Sequence, residues 1–127
     1  MLYVDIDRIN KLKSIESQFD YSKLIRLCEE LNSNHSHGNH YSTAKLVRTI
    51  INHIPPIFGF DTFPQFVAGY GAKSFKGVME HLDKSLRNIA DGYLHEKIRK
   101  REILPNKNQV DFRRELDVLL SEIIRIN

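Results

Sequence analysis

The chain has 127 residues, 41% of them hydrophobic and 28% charged, which fits one domain with its own core and excludes disordered and collagen-like proteins. The net charge of +3 belongs to the second half, because residues 1–72 carry seven basic and seven acidic side chains whereas residues 73–127 carry twelve and nine. The positive charge is densest over residues 97–114, with seven basic and two acidic side chains.

The N-terminal part of the chain predicts an arm or a weak helix. Apolar residues follow helical spacing over residues 8–18, whereas residues 2–6 favour an extended arm or the start of that helix. We expect residues 1–20 to form an N-terminal arm or helix that is a candidate linker to an upstream domain. We expect residues 21–127 to form a helical bundle domain.

Two amphipathic helices are predicted next. Asp20 is a candidate N-cap of the first helix, which ends in the turn-forming residues 32–39. The second helix begins near Ser42 and is apolar over a wide arc, which is typical of the central helix of a bundle. It ends at the pair Pro55–Pro56, because a proline disfavours helical backbone in the residue before it.

The second half of the chain predicts a short aromatic helix, a long helix and a last helix. The aromatic helix ends near Tyr70, and the long helix begins near Ser74 and has Gly92 close to its end. A linker over residues 103–106 precedes the last helix, in which apolar residues repeat at helical spacing. The sequence therefore predicts an all-α, single-domain helical bundle of five to six helices.

The cysteine content and the N-terminus bear on the cellular compartment. Cys28 is the single cysteine, which excludes an internal disulfide, and it falls in an apolar helical pattern typical of a buried thiol. No stretch approaches the roughly 18 apolar residues of a membrane helix. The N-terminus also lacks the order of charged, apolar and small residues that marks a secretory signal. We expect a cytoplasmic protein without a membrane contact.

One polar stripe of the long helix carries a candidate chemistry. Arg87, Asp91 and His95 are spaced four residues apart, so Asp91 can hold Arg87 and orient His95. An arginine that holds a scissile phosphate and a histidine that acts as general acid or base suit RNA cleavage. The same spacing also fits a structural ladder of ion pairs that ends in a histidine at the helix C-terminus.

The stretch Leu86–His95 resembles the motif of HEPN-domain ribonucleases, in which an arginine, often followed by asparagine, precedes a histidine by four to six intervening residues. The resemblance implies a homodimer whose two motifs line one basic cleft, and a metal-independent endoribonuclease that leaves a cyclic phosphate. Such domains are common in bacterial toxin–antitoxin and anti-phage defence systems. Together with the polar stripe, the resemblance makes Arg87, Asn88, Asp91 and His95 the candidate catalytic residues.

The spacing within this motif sets a geometric condition. Seven residues separate Arg87 from His95, so on a straight helix their Cα atoms lie about 12 Å apart along the axis, against about 7–10 Å for the usual spacing. A kink at Gly92 or a second protomer is then needed to bring an arginine and a histidine together.

A second resemblance covers more of the chain. The segments 27–32, 53–59, 74–76, 98–100 and 116–120 are similar to a helical domain found at the C-terminus of many uncharacterised bacterial proteins. This resemblance implies that the chain is the terminal module of a larger protein, without a settled activity. It favours the alternative of a non-catalytic protein-interaction or dimerisation module.

The basic segment after His95 is a candidate nucleic-acid contact. Its cations are Lys97, Arg99, Lys100 and Arg101. They would form the phosphate-binding rim of an RNA site beside the catalytic pair, or, in the structural alternative, a solvated helix end. A non-catalytic nucleic-acid binder that uses this segment is a third hypothesis.

An aromatic tract is a candidate surface for a protein partner. It contains Phe58, Phe60 and Phe63, and part of it must belong to the core. Those phenylalanines that stay exposed would form an apolar patch of the kind that marks an interface.

The sequence gives no indication of a metal or another cofactor, and we expect none. His35, His37 and His40 crowd one loop, but no carboxylate or cysteine lies within it to complete a metal site. His53 lies before two prolines on a core helix, which favours a structural role. The chain also has no glycine-rich phosphate loop and no dinucleotide-binding fingerprint, which disfavours kinases and dehydrogenases.

Overall fold

Six α-helices and one turn of 3₁₀ helix make up the fold over residues 2–127, which are the residues that the computed structural model describes. The elements are α1 (Ile6–Lys13), α2 (Ser22–Ser36), α3 (His40–His53), a 3₁₀ turn (Pro55–Phe58), α4 (Phe63–Gly69), α5 (Lys73–His95) and α6 (Arg113–Arg125). No strand occurs within these residues. The prediction of an all-α, single-domain bundle of five to six helices is therefore confirmed.

The N-terminal segment is built into the core of the bundle. Tyr3 and Val4 are buried ahead of α1, and α1 packs against α2 and α6. Arg8 of α1 forms an ion pair with Asp117 of α6, with 2.8 Å between Nε and Oδ1. Residues 3–13 thus share one core with the rest of the chain, and the link to an upstream domain stays a prediction.

Helix α2 extends further toward its C-terminus than the sequence predicts. The N-cap of α2 is Tyr21 rather than the predicted Asp20, whose carboxylate nevertheless accepts a hydrogen bond from the Ser22 N–H. At its other end, α2 continues through the turn-forming residues to Ser36. Asn32 can be helical because its side chain bonds to Val4 instead of competing for its own backbone. The turn comes at Gly38, whose φ of 70° lies in the left-handed region that glycine adopts without strain.

The central position of α3 is as predicted. This helix packs against α2 on one side and α5 on the other, and it buries Ala44, Val47, Ile50 and Ile51 completely. It ends at His53, just before the two prolines, which start the 3₁₀ turn.

The aromatic tract packs mainly on itself. The Phe66 ring contacts those of Phe58, Phe63 and Tyr70, with centroid distances of 4.5, 5.4 and 5.2 Å. Phe63 is only 1% exposed, so it belongs to the core rather than to a partner surface, whereas Phe58 and Phe60 are half-buried against Phe66. The tract therefore offers a partner less apolar surface than its composition suggests.

A long irregular segment connects α5 to α6. It spans residues 96–112, whereas the sequence predicts a linker over residues 103–106. Along it and at the end of α5 lie the most exposed apolar side chains of the described residues: Leu94 at 66%, Ile98 at 94%, Ile103 at 83% and Leu104 at 72%. We call residues 96–109 the basic arm, since the chain rejoins the core at Val110 and Phe112.

Candidate functional site

Arg87 is held by an ion pair within its own helix. Its Nη2 donates to both carboxylate oxygens of Asp83, at 2.9 and 2.8 Å, one turn earlier on α5. Its Nε is buried without a hydrogen-bond partner, while the side chain as a whole is 43% exposed. The guanidinium is thus fixed on one side and open to solvent on the other.

Arg48 of α3 completes this cluster. Its guanidinium lies between two carboxylates of α5, 3.9 Å from Asp83 Oδ1 and 3.7 Å from Asp91 Oδ1. Two arginines from two helices therefore balance two aspartates at the packed face of α3 and α5. Arg48 was not predicted from the sequence, although a lone cation inside the mostly apolar stretch 46–51 indicates an ion pair across a helix interface.

Asp91 does not bridge the catalytic candidates in this structure. The carboxylate partner of Arg87 is Asp83, and Asp91 faces Arg48 instead. His95 is exposed as the last residue of α5, and Asn88 is exposed on the same helix. No hydrogen bond links Asp91 to His95 among the residues described.

Arg87 and His95 do not converge within one protomer. The helix α5 is continuous through Gly92, so the two residues lie about 12 Å apart along its axis and about 80° apart around it. The helix is thus not interrupted at Gly92, and bringing an arginine and a histidine together requires a second protomer.

An aromatic pair closes the gap between the end of α5 and the start of α3. The Tyr41 and Tyr93 rings meet edge to face, with their centroids 4.8 Å apart and their planes at 74°. Burial raises the pKa of Tyr93, whereas Tyr41 is 39% exposed. Tyr41, which was not predicted from the sequence, thus presents an aromatic surface beside Tyr93 near the end of α5.

Three of the four cations predicted to contact nucleic acid are unpaired. Arg99 bonds to Glu96 at 3.0 Å, and its backbone N–H donates to Glu102. Lys97, Lys100 and Arg101 are exposed and have no ion-pair partner within residues 2–127. The arm therefore keeps free positive charge directly after the candidate catalytic histidine.

Of the three histidines predicted to lie in one loop, His35 belongs to α2 and His40 to α3, and these two line a cleft. His35 packs edge to face on Tyr3, and burial together with the positive charge of Arg113 lowers its pKa. His37 Nδ1 lies 2.7 Å from the Ser33 carbonyl oxygen. In the described part of the chain, no three His, Cys, Asp or Glu side chains are grouped to hold a metal ion. His53 is half-buried, burial lowers its pKa, and its structural role stays a prediction.

Comparison with known proteins gives no relative from which a function could be inferred. No protein-family model, no curated protein and no solved structure matches the chain. Between residues 2 and 127, no helix combines the length and the apolar character needed to cross a membrane. The functional proposal therefore rests on helix α5, the Tyr41–Tyr93 pair and the basic arm.

Proposed function

We propose that the chain is an RNA-directed, HEPN-like module that acts as a metal-independent endoribonuclease, of the kind that serves bacterial defence or toxin systems. The observation that carries the proposal is the order of groups along α5 and the arm. Arg87 and His95 share one helix, and three unpaired cations follow that helix at once. Guanidinium, imidazole and excess positive charge are groups that suit phosphodiester cleavage without a metal.

In the proposed reaction, Arg87 binds the scissile phosphate through the open side of its guanidinium. Its Nη2 is engaged by Asp83, but its Nη1 makes no hydrogen bond to any residue from 2 to 127. The RNA 2′-oxygen attacks the adjacent phosphorus as the bond to the 5′-oxygen breaks, which gives a 2′,3′-cyclic phosphate. One imidazole accepts the 2′-hydroxyl proton, and a protonated imidazole supplies the proton of the leaving 5′-oxygen.

The separation of Arg87 from His95 supports a homodimeric site. In a two-fold pair of α5 helices, the arginine of one protomer can meet the histidine of the other. Two such motifs also supply the two imidazoles that the acid and base steps need. Asn88, exposed on the same helix, is available to bond to substrate or to the second protomer.

Cleavage of single-stranded RNA in the presence of EDTA tests the proposal. We expect Arg87→Ala and His95→Ala each to lower the cleavage rate about 100-fold or more while the helical circular dichroism stays unchanged. The matched controls are His81→Ala and Lys84→Ala, which remove exposed side chains from the same helix. If wild type cleaves no RNA, or if Arg87→Ala and His95→Ala cleave at the same rate as the controls, the enzyme proposal fails.

A second candidate function is a non-catalytic protein-interaction or dimerisation module. The exposed apolar side chains Leu94, Ile98, Ile103 and Leu104 favour it, since such a concentration of apolar surface is typical of interfaces. Binding through these side chains would change little with salt, whereas RNA binding would weaken steeply as salt increases. Measuring partner or RNA affinity at two salt concentrations separates the two functions.

A further inference from the structure

A cleft of about 760 Å³ lies between the α2–α3 turn and the end of the basic arm. One wall is formed by His35, Ser36, Gly38 and His40, and the other by Pro105, Asn106, Lys107 and Asn108. We call this the histidine cleft. Its volume falls in the range of sites that bind small organic ligands and exceeds what a bare phosphate needs.

The histidine cleft leads toward the end of α5. A neighbouring hollow of about 310 Å³ shares Gly38, His40 and Pro105 with it and is also lined by Tyr41. Tyr41 contacts Tyr93, which lies two residues before His95 on α5. The two hollows therefore adjoin each other and reach the aromatic pair at the end of α5.

The charge of the cleft suits an anion. Lys107 is exposed and has no ion-pair partner in the described part of the chain. Asp111 also lines the cleft, but Arg113 occupies both of its carboxylate oxygens at 2.9 Å. The positive charge of Lys107 is therefore not balanced by this carboxylate.

The ring of Tyr41 adds a surface for a base. It is 39% exposed, and its edge-to-face contact with Tyr93 holds its orientation. A base stacks on an aromatic ring irrespective of its identity, and such stacking contributes substantially to single-strand binding.

We propose that the histidine cleft and the Tyr41 hollow hold one unpaired nucleotide of a single-stranded RNA, with its phosphate on Lys107 and its base on Tyr41. This inference rests on the proposed function, to which it adds a binding site for one nucleotide of the RNA. It assigns Lys107 and Tyr41 as substrate-binding residues that lie outside the catalytic motif.

The test uses a 2′-O-methylated single-stranded oligonucleotide, which binds but offers no 2′-hydroxyl for cleavage, and measures affinity by fluorescence anisotropy. We expect Lys107→Ala to weaken binding and to lower the slope of log K against log salt by about 0.7, the value for one phosphate contact on a single strand. The matched control, Lys11→Ala, removes the same charge from the exposed face of α1 and should leave both quantities unchanged.

Tyr41→Ala should weaken binding about tenfold, whereas Tyr41→Phe, which keeps the ring, should bind as wild type does. Wild type and Tyr41→Ala should bind with equal affinity to an oligonucleotide that has an abasic site in place of the held nucleotide. Duplex RNA should bind with no difference among wild type, Tyr41→Ala and Tyr41→Phe.

The outcomes separate this inference from the proposed function. If Lys107→Ala and Tyr41→Ala bind as Lys11→Ala does, the cleft is not a nucleotide site, whether or not the protein cleaves RNA. If they bind more weakly but wild type cleaves nothing, the nucleotide site stands and the ribonuclease proposal fails. If wild type binds no oligonucleotide at low salt, the inference is overturned.

Discussion

The side-chain amide of Asn32 pairs with the backbone of Val4 as a neighbouring strand would. Its Oδ1 accepts a hydrogen bond from the Val4 N–H at 2.7 Å, and its Nδ2 donates to the Val4 carbonyl at 2.9 Å. Because Val4 is buried, no water can readily take over these two backbone groups. One side chain of α2 therefore satisfies the segment that leads into α1.

We expect Asn32→Ala to lower the free energy of unfolding by about 1–3 kcal/mol, because it leaves two backbone groups of Val4 without partners. Urea unfolding followed by circular dichroism measures this loss. Asn52→Ala, which removes an exposed amide from α3, is the matched control and should change the midpoint little. Equal midpoints for the two variants would contradict a stabilising role for Asn32.

The hydroxyl of Tyr3 supports a second prediction. It donates to the Val110 carbonyl and accepts from the Phe112 N–H, both at 2.7 Å, and burial raises its pKa well above the usual range. Tyr3→Phe keeps the ring but removes both bonds, so we expect unfolding to require about 1–3 kcal/mol less. Chemical denaturation tests this, with Tyr41→Phe as the control in which an exposed ring loses its hydroxyl.

Two histidines predict a loss of stability in mild acid. Burial lowers the pKa of both His35 and His53, so the folded state binds fewer protons than the unfolded chain, whose histidines titrate near pH 6.5. Their contribution to stability is present above that pH and is lost as the pH falls through the lower folded pKa values. The depressed pKa values of Asp20, Asp111 and Glu122 act only at more acidic pH.

Urea midpoints measured between pH 7.5 and 5.5 check the histidine prediction. We expect the wild-type midpoint to fall over this range and that of the double variant His35→Gln, His53→Gln to fall less. His81→Gln, a change at an exposed histidine, should follow the wild type. A double variant with the full wild-type pH dependence would assign the loss to other groups.

Cys28 predicts a thiol that reacts only after unfolding. It is fully buried, and burial raises its pKa to about 12, so the native protein presents almost no thiolate at neutral pH. We expect a thiol reagent at about pH 8 to label the chain only in denaturant, with native labelling limited by the rate of unfolding. Rapid labelling of the native protein would show that Cys28 is reached from the surface.

The sequence could predict the helices but not every partner within them. The prolines mark the end of α3 and the apolar periodicity marks α5, because both depend on local chemistry. The end of α2 was placed too early, since Asn32 is drawn into the helix by Val4, a partner 28 residues away. Likewise, the burial of Phe63 depends on a ring cluster that only the folded chain assembles.

The ion-pair partner of Arg87 could have been predicted from the preferred order of charges along a helix. Asp83 and Asp91 both lie four residues from Arg87, and spacing alone does not choose between them. An acidic residue placed N-terminal to its basic partner is the better order on a helix, which favours Asp83. The contact between Arg48 of α3 and Asp91 of α5 could not be predicted from the sequence, because it depends on how the two helices pack.

The two bonds of Tyr3 also set a limit on where the cations of the basic arm can act. The 14 residues 96–109 are tied at one end to α5 and at the other to Val110, which Tyr3 anchors in the core. A tethered segment of this length has a contour of about 48 Å, so its middle extends no further than about 24 Å from its anchors in any conformation. Lys100 and Arg101 therefore stay within about 24 Å of the end of α5 as long as both anchors hold, which bounds the surface that their charges can reach.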